Sequence, residues 1–206
     1  MKRFFRLALG LCIVFGLGLA AWPLAQTGWA RWNQARLQTA WKQAAVEKPK
    51  AGREKQTKST RIASKPRSAP RAPRSARAWP PTRLLIPDIG LDAVVVQGAD
   101  PQALRRGPGH YAFSSLPGEA GNCVIAGHRN VFGSYFLRLD ELQPGSRIVL
   151  QTPRATFNYH VIGMAMVQDN NTSIFAPMTP GVPQVTLVTC TLPLGSERLI
   201  IFAQLD

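Results

Sequence analysis

The sequence predicts a mainly β protein, a closed or nearly closed β-barrel carried behind an N-terminal transmembrane helix and a disordered linker. Three observations support this fold class. An uncharged apolar run extends from Leu7 to Ala25, and a basic, proline-rich stretch covers residues 47–82. After Arg83, short apolar runs are separated by Gly, Pro, Asn and Asp at close intervals, which is typical of strands and turns and not of long helices.

Composition divides the chain into three parts. Residues 1–26 form the predicted membrane anchor, residues 27–82 a juxtamembrane segment with the linker, and residues 83–206 the folded domain. Residues 1–83 contain 18 Lys or Arg and 2 acids, and residues 84–206 contain 7 and 9, so that +16 and −2 give the total charge of +14. Because the part that folds is near neutral, the overall basicity does not predict a nucleic-acid partner.

The apolar run is nineteen residues long, which as a helix comes close to spanning the hydrocarbon core of a bilayer. An uncleaved anchor is favoured over a signal peptide, because the stretch from Trp22 to Gln26 contains no clean Ala-x-Ala cleavage site. Positive charge does not decide the orientation, since three basic residues precede the run and three follow it. They are Lys2, Arg3 and Arg6 before it, and Arg31, Arg36 and Lys42 after it.

Two segments join the anchor to the folded domain. In residues 28–46, Trp29, Trp32 and Trp41 recur with other apolar residues mainly at three- and four-residue spacings, which predicts either an amphipathic helix on the membrane interface or the frayed end of the anchor helix. In residues 47–82, six prolines and many Lys, Arg, Ser and Ala predict a disordered tether. Extended at ~3.1 Å per residue, this tether would reach roughly 110 Å and carry the domain clear of the bilayer.

Seven strands are predicted in the folded domain. They cover residues 83–87, 92–97, 122–127, 147–151, 156–164, 184–190 and 198–204. Short helices are expected around Pro101–Arg105 and Gly133–Leu139. Because the strands do not alternate regularly with helices, a barrel is favoured over a parallel sheet with crossover helices.

The cysteines Cys12, Cys123 and Cys190 show no Cys-x-x-Cys spacing, so neither a disulfide framework nor a structural zinc site is predicted. Cys190 ends the apolar run that begins at Val185, where a predicted strand gives way to a loop. A thiol at the rim of a barrel is a candidate nucleophile. A buried structural cysteine is the common alternative for such a position.

His128 and Arg198 are the candidate partners of Cys190. His128 lies in a glycine-marked turn after a predicted strand, whereas His160 lies within a strand and His110 lies in a loop, where it is expected to help shape a cleft. Arg198 follows Cys190 by eight residues, so a tight return would bring both to the same end of the barrel. There the guanidinium can donate to an oxyanion, although a surface ion pair with an acid is the alternative.

Several segments of the folded domain resemble the sortase family of cysteine transpeptidases, over nearly all of residues 83–206. The resembling segments are Leu84–Leu91, Gly107–His110, Pro117–Asn122, Ala126–Arg129 and Thr186-Leu187-Val188-Thr189-Cys190, with Arg198 at the position expected for the family's arginine. The resemblance implies a sortase-like closed β-barrel of about eight strands, with short helices.

The resemblance also implies a chemistry. Cys190 would be the nucleophile, His128 the general acid toward the leaving amine, and Arg198 the group that stabilises the oxyanion and positions the substrate. Three residues are expected to bind the substrate: Thr189, Ala126 and His110. The implied reaction is cleavage of a Leu-Pro-x-Thr-Gly-like sorting signal after Thr through a thioacyl enzyme, with transfer of the acyl group to an amine. Many sortases use calcium, but this sequence shows no clear acidic cluster, so no metal or other cofactor is expected.

Two departures from the family pattern bear on the class. The stretch Gly145-Ser146-Arg147 stands where a Gly-Asp pair is common, and only seven residues separate Cys190 from Arg198, so the insertion of some classes is missing. The chain resembles the compact class D and E types and their proteobacterial relatives. The implied partners are a surface protein with a C-terminal sorting signal and an amine acceptor, either a cell-wall precursor or a protein.

The implied location is the plasma membrane, crossed once, with Met1 in the cytoplasm and Asp206 outside. Two other functions are the alternatives. One is a cell-wall cysteine peptidase or transpeptidase of another type, and the other is a non-enzymatic β-domain in which the basic tether binds polyanions.

Overall fold

The computed structural model describes residues 2–46, 78–191 and 196–206. It begins with one long helix, α1 (Lys2–Val46), which continues through Pro23. Part of α1 is long and apolar enough to cross a membrane, consistent with the predicted anchor. Residues 47–77 of the predicted disordered linker lie outside the residues that the structure describes.

Eight strands form a closed barrel, which confirms the predicted fold class. In chain order they are β1 (Thr82–Ile86), β2 (Leu91–Gln97), β3 (Gly109–His110), β4 (Gly121–Ala126), β5 (Arg147–Gln151), β6 (Thr156–Gln168), β7 (Pro183–Cys190) and β8 (Glu197–Leu205). Around the barrel the order is β1-β2-β3-β4-β7-β8-β6-β5. The β2–β3 and β4–β7 pairs are parallel, and the other pairs are antiparallel.

Two local features differ from the prediction. The two-residue strand β3 was not predicted, because it is too short to show an alternating pattern. The helix α2 (Pro101–Arg106) is present as expected, but the helix predicted at Gly133–Leu139 is wrong. That region consists of turns, because Ser134 has a φ of 50° and the preceding Gly133 a φ of 92°, in the left-handed region that a right-handed helix excludes.

Aliphatic side chains from alternate strand positions fill the barrel interior. In β7, for example, Val185 and Leu187 belong to the interior cluster, whereas Val188 belongs to a second cluster on the outer face. The second cluster consists of Val124, Ala126, Ile174, Val188 and Ile200. It lies over β4, β7 and β8, which makes this part of the sheet apolar on both faces.

The C-terminal half of α1 packs on the outside of the barrel. Ala30 is fully buried, and the indole nitrogen of Trp41 donates to the carbonyl of Gln151 in β5 at 3.3 Å. Both sequence interpretations of residues 28–46, an interfacial helix and a frayed helix end, were therefore incomplete. The folded domain covers the side of this helix that contains Ala30 and Trp41, whereas Trp29 and Trp32 are 44% and 56% exposed.

Candidate active site

Cys190 is the last residue of β7, and Arg198 is the second residue of β8. In the antiparallel pairing of these strands the two residues are direct partners. Side chains of such partners emerge on the same face of the sheet, with Cβ atoms roughly 4.5–5.5 Å apart. The pairing agrees with the tight return predicted between them, and the amide of Thr191 extends it by donating to the carbonyl of Glu197 at 3.0 Å.

His128 follows β4 by two residues, and the register of β4 with β7, continued past the end of β4, would set it opposite Cys190. The parallel register of β4 and β7 pairs Ala126 with Val188, which lies 62 residues further along the chain. The same offset of 62 residues leads from His128 to Cys190. Beyond the end of β4, the amide of Gly127 still donates to the carbonyl of Val188 at 3.0 Å. The sheet thus pairs Cys190 with Arg198 and directs the segment that contains His128 toward the same end of the barrel.

Cys190 and Arg198 belong to the outer face of the sheet. Along β7, Cys190 shares its face with Val188, and along β8, Arg198 shares its face with Ile200, both members of the second apolar cluster. The site therefore stands at the end of an apolar floor outside the barrel. Cys190 is half-buried, whereas Cys123 is buried.

The segment between β6 and β7 covers part of this floor. Its short 3-10 turn, Ser173–Phe175, contributes Ile174 to the second cluster. Asn122 anchors the turn, because its Nδ2 donates to the carbonyl of Ile174 at 2.8 Å and its Oδ1 accepts from the hydroxyl of Thr186 at 2.9 Å. Since Asn122 and Thr186 are buried, this network fixes the covering segment to the strands that carry the site.

Three aromatic rings border the site. Tyr111, Phe113 and Phe175 form a cluster with centroid distances between 4.7 and 5.6 Å. Burial raises the pKa of Tyr111, and the positive charge of Arg198 acts in the opposite direction, so the cluster lies within electrostatic reach of the guanidinium. Phe113 is 66% exposed, which leaves an apolar surface beside the site.

Two contacts of the Arg198 guanidinium with oxygens of described residues are long. Its Nη1 donates to the backbone carbonyl of Glu197 at 3.2 Å, and its Nη2 lies 3.9 Å from Oδ2 of Asp169. The carboxylate of Glu197 accepts from Gln168 at 3.2 Å. Because the Arg198 and Asp169 side chains are 28% and 60% exposed, their ion pair is weak.

The imidazole of His128 has a lowered pKa. Burial is the main cause, and the positive charge of Arg105 in α2 adds to it. The ring of Phe132 contacts both groups, with its centroid 5.2 Å from the imidazole and 5.4 Å from the guanidinium carbon of Arg105. Since these surroundings disfavour the imidazolium, His128 retains its proton best when a negative charge, such as a thiolate at Cys190, stands near it.

The loop that carries His128 contains a strained turn. Phe132 and Ser134 have φ values of 48° and 50°, a region that costs non-glycine residues about 1–3 kcal/mol each. Phe136 fastens the loop to the barrel. Its side chain is fully buried, its amide donates to the carbonyl of His128 at 3.1 Å, and its ring fills the space that a Cβ at Gly127 would need.

The three predicted substrate-binding residues lie in different surroundings. Ala126 belongs to the apolar floor. Thr189 faces the other way and is 2% exposed, and its hydroxyl donates to the carbonyl of Gly127 at 2.8 Å. A substrate contact by Thr189 stays a prediction, and the structure favours a supporting position behind the His128 loop.

His110 is not the loop residue that the sequence predicted. It forms part of β3, pairs with Ile125 and is 2% exposed. The ring of Trp79 stacks on it at 3.9 Å, and burial lowers the pKa of His110 to about 4. The imidazole therefore faces the interior side of the sheet, and a direct substrate contact by His110 also stays a prediction.

Cys123 and His160, the remaining thiol and histidine of the barrel, are in positions that suit a structural role. Cys123 is 1% exposed, and burial raises the pKa of its thiol far above the ordinary value, so it does not compete as a nucleophile. His160 lies on the exposed surface, with its Nδ1 2.8 Å from Oδ1 of Asp206.

Sequence reasoning missed Arg105, Asn122 and Tyr111. Asn122 carried a signal, because an amide within an apolar strand must find hydrogen-bond partners when it is buried. Arg105 carried none, since an exposed arginine on a short helix is ordinary and only the tertiary structure brings it near His128. Tyr111 lies in a loop whose path the sequence does not specify.

The sortase domain, as a family model, matches residues 84–206. Sortase D of Bacillus subtilis (strain 168) is 33% identical to the chain over 107 residues, which are 52% of this chain and 52% of the relative. Sortase A of Streptococcus agalactiae serotype III (strain NEM316) is 28% identical over 129 residues, or 60% of this chain and 51% of the relative. The chain spans about half the length of these curated relatives.

Solved structures show the same similarity. A sortase D5 transpeptidase of Clostridium perfringens superposes with a TM-score of 0.57 at 30% identity, covering 62% of this chain and 79% of that one. A mutant of sortase E from Streptomyces avermitilis superposes with a TM-score of 0.56 at 30% identity, covering 62% of this chain and 88% of that one.

Proposed function

Since the chain belongs to the sortase family, we propose that it is a membrane-anchored cysteine transpeptidase that joins surface proteins to an amine acceptor. Cys190 is the nucleophile, His128 the general acid and base, and Arg198 the group that stabilises the oxyanion. One observation carries this assignment. Cys190 and Arg198 are direct cross-strand partners on one face of the sheet, and the register of β4 with β7, continued by two residues, would set His128 opposite Cys190.

The reaction proceeds in two half-reactions. The thiolate of Cys190 attacks the carbonyl carbon of the scissile peptide bond, a C–S bond forms, and the carbonyl π electrons move to the oxygen. Arg198 donates hydrogen bonds to this oxyanion. When the oxyanion collapses, the C–N bond breaks, and the imidazolium of His128 gives its proton to the departing amine. A thioacyl enzyme remains.

The second half-reaction reverses these roles. An incoming amine attacks the thioacyl carbon and gives up a proton to the now neutral His128. The second oxyanion again accepts hydrogen bonds from Arg198. When it collapses, the C–S bond breaks, Cys190 leaves as a thiolate, and a new amide bond joins the two partners. His128 has regained the proton that it lost, so the enzyme returns to its starting state.

The substrate is a Leu-Pro-x-Thr-Gly-like sorting signal at the C-terminus of a surface protein. The apolar floor beside Cys190, with Ala126 and Val188 at its end, suits the apolar residues of such a signal. The exposed ring of Phe113 extends this apolar surface. Sorting signals and wall amines lie outside the cytoplasm, so the chain crosses the plasma membrane once with Met1 inside and Asp206 outside. The orientation can be tested with a reporter that is active only in the cytoplasm, fused after Asp206. Activity of this fusion would contradict the proposed orientation.

The test of the activity uses the full chain in detergent micelles. It is incubated with quenched peptides that carry Leu-Pro-x-Thr-Gly variants, with and without a small primary amine, and the products are identified by mass. Cys190→Ala is the inactive variant, and Cys123→Ala is the matched control, because it removes a buried thiol that the reaction does not use.

Cleavage after Thr with amine-dependent ligation, lost in Cys190→Ala and kept in Cys123→Ala, would support the transpeptidase. Cleavage at another position would indicate a cysteine peptidase of another type. A folded chain that cleaves no peptide of the panel, and whose Cys190 reacts with iodoacetamide no faster than an ordinary thiol, would count against the enzyme.

A further inference from the structure

One edge of β2 is only partly paired within the barrel. Within the described residues, β3 pairs with β2 only at Val96 and Gln97, so that no strand of this part of the chain pairs with Val94 on that side. The side chain of Gln34 in α1 occupies this edge. Its Oε1 accepts from the amide of Val94 at 2.8 Å, and its Nε2 donates to the carbonyl of Val94 at 3.0 Å. The helix thus supplies the hydrogen bonds that a longer β3 would have made.

Gln34 also fastens α1 to α2. Its Nε2 donates to the carbonyl of Arg106 at 3.0 Å, so the oxygen and the nitrogen of the amide together make three hydrogen bonds. Gly107 gives the amide its space, because a Cβ at that position would overlap Nε2 of Gln34. The side chain is 5% exposed. A buried amide with its donors and acceptor engaged indicates a specific contact and not a loose association.

The same helix reaches the loop that carries His128. The hydroxyl of Tyr135 donates to the carbonyl of Ala30 at 3.3 Å. On the other side of the loop, α2 presents Arg105 over the ring of Phe132. Between α1 and the loop lies a pocket of about 350 Å³. It is lined by Trp22, Ala25, Gln26, Trp29, Arg105 and Phe132.

The loop needs such support. Its positive φ values at Phe132 and Ser134 persist only where the surroundings hold the backbone in place. Phe136 holds one side of the turn from the barrel, and α1 with α2 holds the other. Release of α1 would therefore relax the turn beside His128.

We infer that residues 26–46 of α1 are a working part of the catalytic domain and that Gln34 is a positioning residue for His128. The docked helix keeps the loop of residues 127–139 in the conformation that holds His128 at the level of Cys190. Gln34 acts through α2 and the loop and does not touch the substrate. The catalytic consequence rests on the proposed function, whereas the effect on the loop does not.

The test compares two substitutions of the same kind on α1 in the full chain, in detergent. Gln34→Leu removes the three buried hydrogen bonds, and Gln43→Leu makes the same chemical change on the exposed side of the helix. Amide hydrogen exchange of residues 127–139 is measured by mass spectrometry, and kcat and KM are measured with a sorting-signal peptide over a range of pH.

In Gln34→Leu, exchange in the loop is expected to be at least about tenfold faster. The kcat is expected to fall about ten- to hundredfold with KM nearly unchanged, because the acid is misplaced while the apolar floor is intact. The limb of the pH profile that belongs to His128 is expected to move to higher pH, since His128 becomes less buried. Gln43→Leu should match the parent chain.

Unchanged exchange in the loop of Gln34→Leu would overturn the inference, whatever happens to the activity. Equal effects of the two substitutions, or a raised KM with an unchanged kcat, would overturn it as well. Should Gln34→Leu fail to fold, Tyr135→Phe removes only the bond to Ala30 and must show the same changes on a smaller scale. A loop that loosens in a chain with no peptide cleavage at all would support the positioning and count against the proposed activity.

Discussion

Replacement of Arg198 by Ala should separate catalysis from stability. The side chain is 28% exposed, and its ion-pair partner Asp169 is 60% exposed at 3.9 Å, a geometry whose contribution to the free energy of unfolding is about 0–1 kcal/mol. The guanidinium shares a sheet face with the thiol of its cross-strand partner Cys190, where the oxyanion of the proposed reaction would form. Loss of one oxyanion donor raises the activation free energy by about 2.7–4 kcal/mol, or 10²–10³ in kcat.

The assay pairs urea unfolding with steady-state cleavage kinetics in the full chain. Arg198→Ala should leave the unfolding midpoint nearly unchanged, with kcat reduced at least about a hundredfold and KM changed far less. Arg198→Lys keeps the charge without the planar fork and should fall between the two. Asp169→Asn is the control, since it removes the ion pair alone and should leave both measurements as in the parent.

Two results would refute the reasoning. A KM that rises strongly while kcat is kept would make Arg198 a binding residue. A loss of more than about 2 kcal/mol in the free energy of unfolding would make it a structural one, because it would exceed what an exposed pair contributes.

Three further predictions concern neighbouring groups. Arg105→Gln removes a positive charge and should raise the pKa of His128, so the limb of the kcat/KM profile that belongs to His128 should move to higher pH. A limb that stays in place would contradict the electrostatic coupling. Asn122→Ala leaves the carbonyl of Ile174 and the buried hydroxyl of Thr186 without this partner, and it should lower the free energy of unfolding in urea by about 2–4 kcal/mol. A loss below about 1 kcal/mol would show that the network is dispensable. Tyr159→Phe removes the buried hydroxyl that accepts from the amide of Gly118 at 2.8 Å, and it should lower the free energy of unfolding by about 1–2 kcal/mol with kcat unchanged. A clear fall in kcat would mean that the contact also shapes the site.

Local pattern determined much of the fold. The run from Val185 to Cys190 is short, apolar and rich in β-branched residues. Its assignment as a strand therefore required no knowledge of the strands that it pairs with. The nineteen uncharged residues near the N-terminus likewise specify a helix suited to a membrane. The pairing of Cys190 with Arg198 was also within reach, because only seven residues separate them and a short return admits few registers.

The predicted tether illustrates what local pattern leaves open. Its composition suggested that it sets the distance between the barrel and the membrane. The tertiary structure docks α1 on the barrel through Gln34 and Trp41, so the helix that contains the candidate membrane span also holds the domain. Composition describes how a segment behaves alone, and it contains no information on what the preceding helix packs against.

The sequence by itself determined seven of the eight strands, an apolar helix long enough to be an anchor, and the candidate thiol, imidazole and guanidinium. Only the tertiary structure decided that the end of β4 before His128 lies beside β7, that burial and then Arg105 lower the pKa of His128, and that Gln34 completes the edge of β2. The physical reason is the range of the interactions. Alternation and helical spacing act between residues a few positions apart, whereas the register of β4 with β7 joins residues 62 positions apart and follows from closing the barrel around a single core.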